Sequence, residues 1–186
     1  MPIEAVVVNA SPLITLFRSG QADLLLLRLF KRIVVPQAVW QEVVQDAWED
    51  PAARELRLQT WPVLEHVDDS PRVAAWSLGA GETAVLSYAL AHPPLRAVID
   101  DMDARRCAQT LGIPVFGTGG LLVLAKRRGL VQSVAEGIVK LRASGLWLSA
   151  ELVQILLEQA GEGPSGAVLQ ALLDKVPDRP PIPGDE

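Results

Sequence analysis

The chain has 186 residues, enough for one domain with a small appendage, and 49% of them are apolar, so there is ample material for a core. Its single cysteine, Cys107, excludes an internal disulfide, and no apolar run is long enough to span a bilayer, which fits a cytosolic, reducing setting. The net charge of −5 weighs against phosphate as a partner, but only mildly, because carboxylates gathered around a metal ion carry the same sign and the bound ion reverses it.

Residues 3–8, Ile-Glu-Ala-Val-Val-Val, read as a buried strand, with no basic region or cleavage pattern of a signal peptide. Asn9 and Ala10 follow, and Ser11 before Pro12 predicts a helix start. Gly20 should end that helix, and Asp23 should cap the next, whose Leu24–Leu27 run implies burial nearly all round. A second strand is expected at 32–35. Pro36 then opens a helix with Val39, Trp40, Val43 and Val44 on one face and Glu42 at its border. The stretch 46–60 reads as polar and helical, 61–67 as a short extra strand, and 68–71 as a turn.

Gly79-Ala-Gly-Glu82 introduces another helix, with Ala84, Val85, Tyr88 and Ala89 on its apolar face and His92-Pro93-Pro94 at its end. A strand at 96–99 runs into Asp100-Asp101. Ala104, Cys107, Ala108 and Leu111 then give helical spacing up to Gly112. Residues 113–116 form the next strand, and Gly117-Thr118-Gly-Gly120 the next turn, before a helix closed by Gly129. Beyond Leu130 the alternation stops. Two amphipathic helices are expected at 133–143 and 149–160, and the Gly- and Pro-rich tail from Gly161 is expected to be mobile. The organisation is thus residues 1–131 as an α/β domain, 132–160 as a helical extension and 161–186 as a flexible tail.

Strands alternating with helices imply a parallel sheet covered on both faces, with ligands outside the carboxyl ends of its strands. Asn9 and Ser11, Asp100 and Asp101, and Thr118 should therefore share one rim. Two adjacent carboxylates repel each other, and a divalent cation relieves that repulsion; Asp101 or Asp103 suits equally well the cap of the next helix. Glu82 suits a helix dipole as well as a metal, and Glu42 a surface as well as a site. Arg105, Arg106 and the cluster at Lys126 could face a nucleic-acid backbone or only solvent. The glycine-rich turns complete neither a dinucleotide fingerprint nor a P-loop. His66 and His92 form no zinc arrangement, and Ser11 and Ser87 lack a nucleophile elbow. An acidic pair at a strand end also suits a receiver-like phosphorylation domain, but there it follows the first strand, and here it comes late.

In order, Val-Val-Asn9-Ala-Ser11-Pro-Leu-Ile, Val-Val-Pro36-Gln-Ala-Val-Trp-Gln-Glu42, Leu-Gly-Ala-Gly81-Glu82-Thr-Ala, Val-Ile-Asp100-Asp101-Met-Asp103-Ala-Arg105 and Gly117-Thr118-Gly-Gly-Leu-Leu-Val-Leu-Ala-Lys126 resemble one family. It is the PIN-domain group DUF3368, related to the VapC toxins of prokaryotic toxin–antitoxin pairs. The resemblance spans roughly residues 4–148. It implies a three-layer α/β/α PIN-like fold with a central, mainly parallel sheet, plus C-terminal helices. It also implies a Mg²⁺- or Mn²⁺-dependent ribonuclease with an RNA substrate, an antitoxin protein as possible partner, and possible homodimers. By the same resemblance Asn9, Glu42, Glu82 and Asp101 are metal ligands, Glu42, Glu82, Asp100 and Asp101 catalytic, and Ser11, Asp103 and Thr118 polar helpers. Arg105, Arg106 and Lys126 would meet nucleic acid. Asn9 departs from the pattern, which usually has aspartate first. It can offer an oxygen but neither charge nor a base, which leaves a non-catalytic module binding RNA or protein as the alternative.

Overall fold

The structure, a computed structural model, describes residues 3–46 and 49–163. The chain divides into two compact units, one ending at Leu121 and the other beginning at Leu122. In the first unit, β1 (Ile3–Val8) ends on Val6, Val7 and Val8, all fully buried. Such an unbroken apolar run belongs to a strand covered on both faces. With β2 (Phe30–Pro36), β3 (Pro62–Glu65), β4 (Arg96–Val98) and β5 (Val115–Phe116) it forms a parallel sheet of order β3-β2-β1-β4-β5.

From β1 the chain steps outward to β2 and β3, then crosses back to β4 and β5 on the other side. Right-handed crossovers therefore place α1 (Ala10–Arg18) and α3 (Pro51–Arg57) on one face. They place α5 (Ala80–Ala91) and α6 (Met102–Leu111) on the opposite face. The packing agrees. α1 lies against α3, while α5 lies across β1, β2 and β4 and touches α6 and α2 (Gln37–Gln41). This is the expected three-layer α/β/α architecture, and the expected apolar face of α5 is buried throughout.

Several local expectations change. The first helix starts at Ala10, capped in position by Asn9 (φ −83°, ψ 166°) rather than by Ser11. The cause is the sheet: the Asn9 amide still donates to the Val98 carbonyl at 3.1 Å, so the chain turns immediately afterwards. Pro12 then falls in the first turn, where its missing N–H costs no helical bond. Asp23–Leu27 is a single π-helical turn with Asp23 inside it, not at its cap; one turn cannot bury every side, and Leu27 is left 39% exposed. Glu42–Asp46 also widens into a π-helical turn. Asp50, not part of a continuous polar helix, caps α3 by accepting from the Ala52 amide at 2.8 Å. The turn expected at 68–71 leads directly into a short helix, α4 (Pro71–Ala74). β5 is shorter than expected because the Ile113 amide bonds back to Ala108, closing α6 around Gly112 (φ +71°). No separate turn intervenes after it: α7 (Thr118–Arg127) starts at Thr118.

In the second unit, α8 (Val134–Ala143) and α9 (Ala150–Gln159) are capped by Ser133 and Ser149. The Glu162 carboxylate accepts from the amides of Val134 (2.6 Å) and Ala135 (3.0 Å) at the start of α8 and pairs with Lys126 at 3.2 Å. Those bonds hold its carboxyl below the ordinary range in spite of burial, which acts the other way. The expected mobile tail lies outside the described residues from 164 on. Among the described residues no helix is long and apolar enough to cross a membrane.

Candidate functional site

The register runs Val8, Val98, Phe116 across β1, β4 and β5. Asn9, Asp100 and Thr118 lie one or two residues beyond that line. They therefore share the carboxyl rim, at the point between β1 and β4 where the strand order reverses. α2, which follows β2, delivers Glu42 to the same rim at the start of its π-helical turn, a distortion that re-aims side chains and recurs at functional sites. α5 delivers Glu82 from its first turn.

Asn9, Glu42 and Glu82 are brought together. Asn9 is 1% exposed, and its Nδ2 donates to Glu82 Oε1 at 2.8 Å. Its Oδ1 is buried and accepts no hydrogen bond from any described residue. A buried amide oxygen without a donor is costly, so something else must pay for it. Gly81 shows where the space lies: a Cβ there would sit 2.7 Å from Glu42 Oε2 and 3.0 Å from Asn9 Oδ1. The glycine leaves open the gap on which an amide oxygen and a carboxylate converge. Gly79 performs a similar service for Glu82, whose Oε2 a Cβ there would strike.

Asp100 and Thr118 form a second group. Asp100 accepts twice from Thr118, Oδ1 from the backbone amide at 2.7 Å and Oδ2 from the hydroxyl at 2.6 Å. Burial pushes the Asp100 carboxyl up, against the pull of the Thr118 bonds and of the Arg105 charge. Arg105 reaches back over the end of β5: its Nη1 donates to the Ile99 carbonyl at 3.1 Å, and a Cβ at Gly117 would meet it at 3.1 Å. Thr118 is fully buried, and both its amide and its hydroxyl donate to Asp100.

The remaining predicted residues stand elsewhere. Asp101 is exposed and caps α6, accepting from the Ala104 amide at 2.8 Å. Asp103 pairs with Arg106 on the surface of α6 at 2.9 Å. Ser11 is exposed in the first turn of α1. Lys126 belongs to the second unit, where it pairs with Glu162 and also donates to the Gln132 carbonyl. The glycines of the rim, Gly81 and Gly117, read as plain turn formers in the sequence. The available signal was their position immediately before Glu82 and Thr118, where a close approach leaves no room for a Cβ.

The residues fit a hard divalent ion. Among the described residues no three His, Cys, Asp or Glu side chains form a metal-holding group by themselves. Magnesium does not require one: it is typically held by one or two carboxylates, retained waters and substrate phosphates. An orphaned amide oxygen beside Glu42 and Glu82, opening on a gap kept free by glycine, is a donor set of that kind.

The family DUF3368, a PIN domain, matches residues 5–162, a span that contains every rim residue described above. No curated protein matches the chain.

Proposed function

The chain belongs to the DUF3368 family of PIN domains, and from that premise we propose that it is a magnesium- or manganese-dependent ribonuclease. The observation that carries this is the buried, unsatisfied Asn9 Oδ1 facing the Gly81 gap beside Glu42. Asn9, Glu42 and Glu82 would hold the ion, with Asp100 and Asp101 at the next strand end. Bound there, the ion supplies a Lewis acid for the phosphate and lowers the pKa of a coordinated water. The chain's own residues do the rest. Asn9 fixes Glu82 through its Nδ2 and leaves its oxygen inward. Glu42 and Glu82 would be its carboxylate ligands, and one of them would accept a proton from the attacking water. Thr118 holds Asp100 in one orientation through both carboxylate oxygens. As a cellular role the reading points to the toxin of a toxin–antitoxin pair. Leu152 and Ile155 on α9, each 41% exposed, offer apolar surface to an antitoxin or a second copy.

Calorimetric titration of manganese, followed by an RNA cleavage assay, tests the reading. The natural protein should bind the ion and cut; Glu42→Gln should lose both; and cleavage that persists in EDTA would overturn it. Asp101 is best tested as Asp101→Ser, which keeps the cap and removes the charge, since Asp101→Ala would also cost about 1 kcal/mol of helix capping.

A second reading has its own support. Asn9 spends its amide on Glu82 and brings no charge, which suits a PIN domain that has kept its fold and binds RNA or protein without cutting. Asn9→Asp discriminates. If the substitution creates manganese binding and cleavage absent from the natural chain, the non-catalytic reading stands.

A further inference from the structure

Beside the Asp100 end of the rim, a groove of about 430 Å³ runs between α6 and β5, lined by Met102, Arg105, Arg106, Gln109, Ile113 and Val115. Its size falls within the roughly 300–1,000 Å³ of small-molecule sites. β5 stands at the end of the strand order, so this side of the sheet is an edge. Its chemistry is divided. Met102, Ile113 and Val115 give an apolar floor, and Met102 is 61% exposed, large for an apolar side chain without a role in a core. Two guanidinium groups and one side-chain amide supply the polar wall. The groove begins at the acidic rim, because Arg105 leans on Ile99 and Gly117 beside Asp100, and Met102 follows Asp101 directly.

We propose that this groove receives one unpaired nucleotide of an RNA strand next to the bond at the rim. The phosphate lies toward Arg105 and Arg106, the base face on Met102, Ile113 and Val115, and the Gln109 amide at the base edge. The proposal takes its ligand from the ribonuclease reading and adds the place where one unpaired base of it is held. A base still paired in a duplex has its face stacked and its edge engaged, whereas a splayed base offers both. Arg106 is free to exchange partners. Its pair with Asp103 is solvent-exposed on both sides, and such pairs contribute little. The groove on the β3 side is the weaker choice for a phosphate, since Asp68 and Asp69 line it and repel the charge.

The test is fluorescence anisotropy with a labelled single-stranded RNA and the matching hairpin duplex, with and without manganese, the RNA being checked for integrity on a gel. Met102→Glu and Arg106→Glu should each weaken single-strand binding about tenfold, and the duplex should bind no better than to these variants. Arg54→Glu makes the same charge change on the opposite face, on α3, and should change binding by less than about twofold. Circular dichroism should be unaltered in all three, because the substituted side chains are exposed. The groove is overturned if the natural chain binds no single strand, if the duplex binds equally well, or if Arg54→Glu weakens binding as much as Arg106→Glu. A natural chain that binds through the groove but never cuts would sink the ribonuclease and keep the groove. Cleavage with unchanged KM in Met102→Glu and Arg106→Glu would do the reverse.

Discussion

Asn9 and Glu82 are bonded side chain to side chain although 73 residues separate them, and that bond gives the residue at the cap position of α1 and the first-turn acid of α5 a partner that their local sequence does not show. Local pattern placed Asn9 at a strand end on the rim and Glu82 in the first turn of a helix. It gave no means of knowing that the Asn9 side-chain amide would turn inward, because the carboxylate it donates to belongs to a distant helix. Asp101 shows the opposite case, since its local signal as a cap is what the structure displays. The residue scale also carries two predictions. Gly81→Ala would ordinarily favour a helix, but its methyl would push the flexible end of Glu42 and crowd the Asn9 oxygen. The expected outcome is a melting temperature within about 2 °C of the natural chain with manganese affinity lost in calorimetry. Retained affinity would show that the Gly81 gap is not where the ion sits. Asp100 has its folded pKa raised above the ordinary 3.8, so the folded state holds that proton more tightly. The contribution is complete below 3.8 and is lost as pH rises through the folded value, which means that ionised Asp100 opposes folding at neutral pH. Asp100→Asn can keep both partners on Thr118, so it should raise the melting temperature at pH 7.5 by roughly 2–6 °C. That advantage should close as the pH is lowered toward 4, while RNA cleavage is lost. A variant less stable than the natural chain at both pH values would refute the sign.

At the scale of elements, the strand–helix alternation and most helix ends were legible because each is written within a few residues. Gly112 and Gly129 stand at positive φ just where their helices stop, and Ser133 and Ser149 cap α8 and α9. The π-helical turns were not legible, since a widened turn follows from what the chain must reach rather than from its own propensities. Gly137 is a similar case. In the middle of α8 a glycine costs about 1 kcal/mol relative to alanine, and nothing in its neighbours accounts for it. The structure does: a Cβ there would collide with the Leu122 side chain on α7. Gly137→Ala should therefore destabilise by about 1–3 kcal/mol in urea, the usual range for overpacking, even though alanine is the better helix former. A gain in stability would mean that Leu122 simply moves aside.

For the whole molecule, composition bounded the class and the motif order indicated the architecture, but the order of strands needed the structure. The register pairs β1 with β2 through Val7 and Val34 on one side and with β4 through Val8 and Val98 on the other. A fragment ending at residue 95 lacks β4, so it leaves one side of the central strand without a partner and the rim without Asp100. Such a fragment should show no cooperative urea transition and should bind no manganese; a sharp transition would show that β1–β3 form a stable unit alone. The same arrangement bears on how the protein is made. At about 5–20 residues per second on the ribosome, β4 is synthesised on the order of ten seconds after β1. During that interval the most apolar strand of the sheet waits with one open flank, exposed to chaperones and to neighbouring nascent chains. Asn9 cannot complete its contacts until both Glu82 and Val98 have left the exit tunnel, so the inner part of the rim closes only late in synthesis.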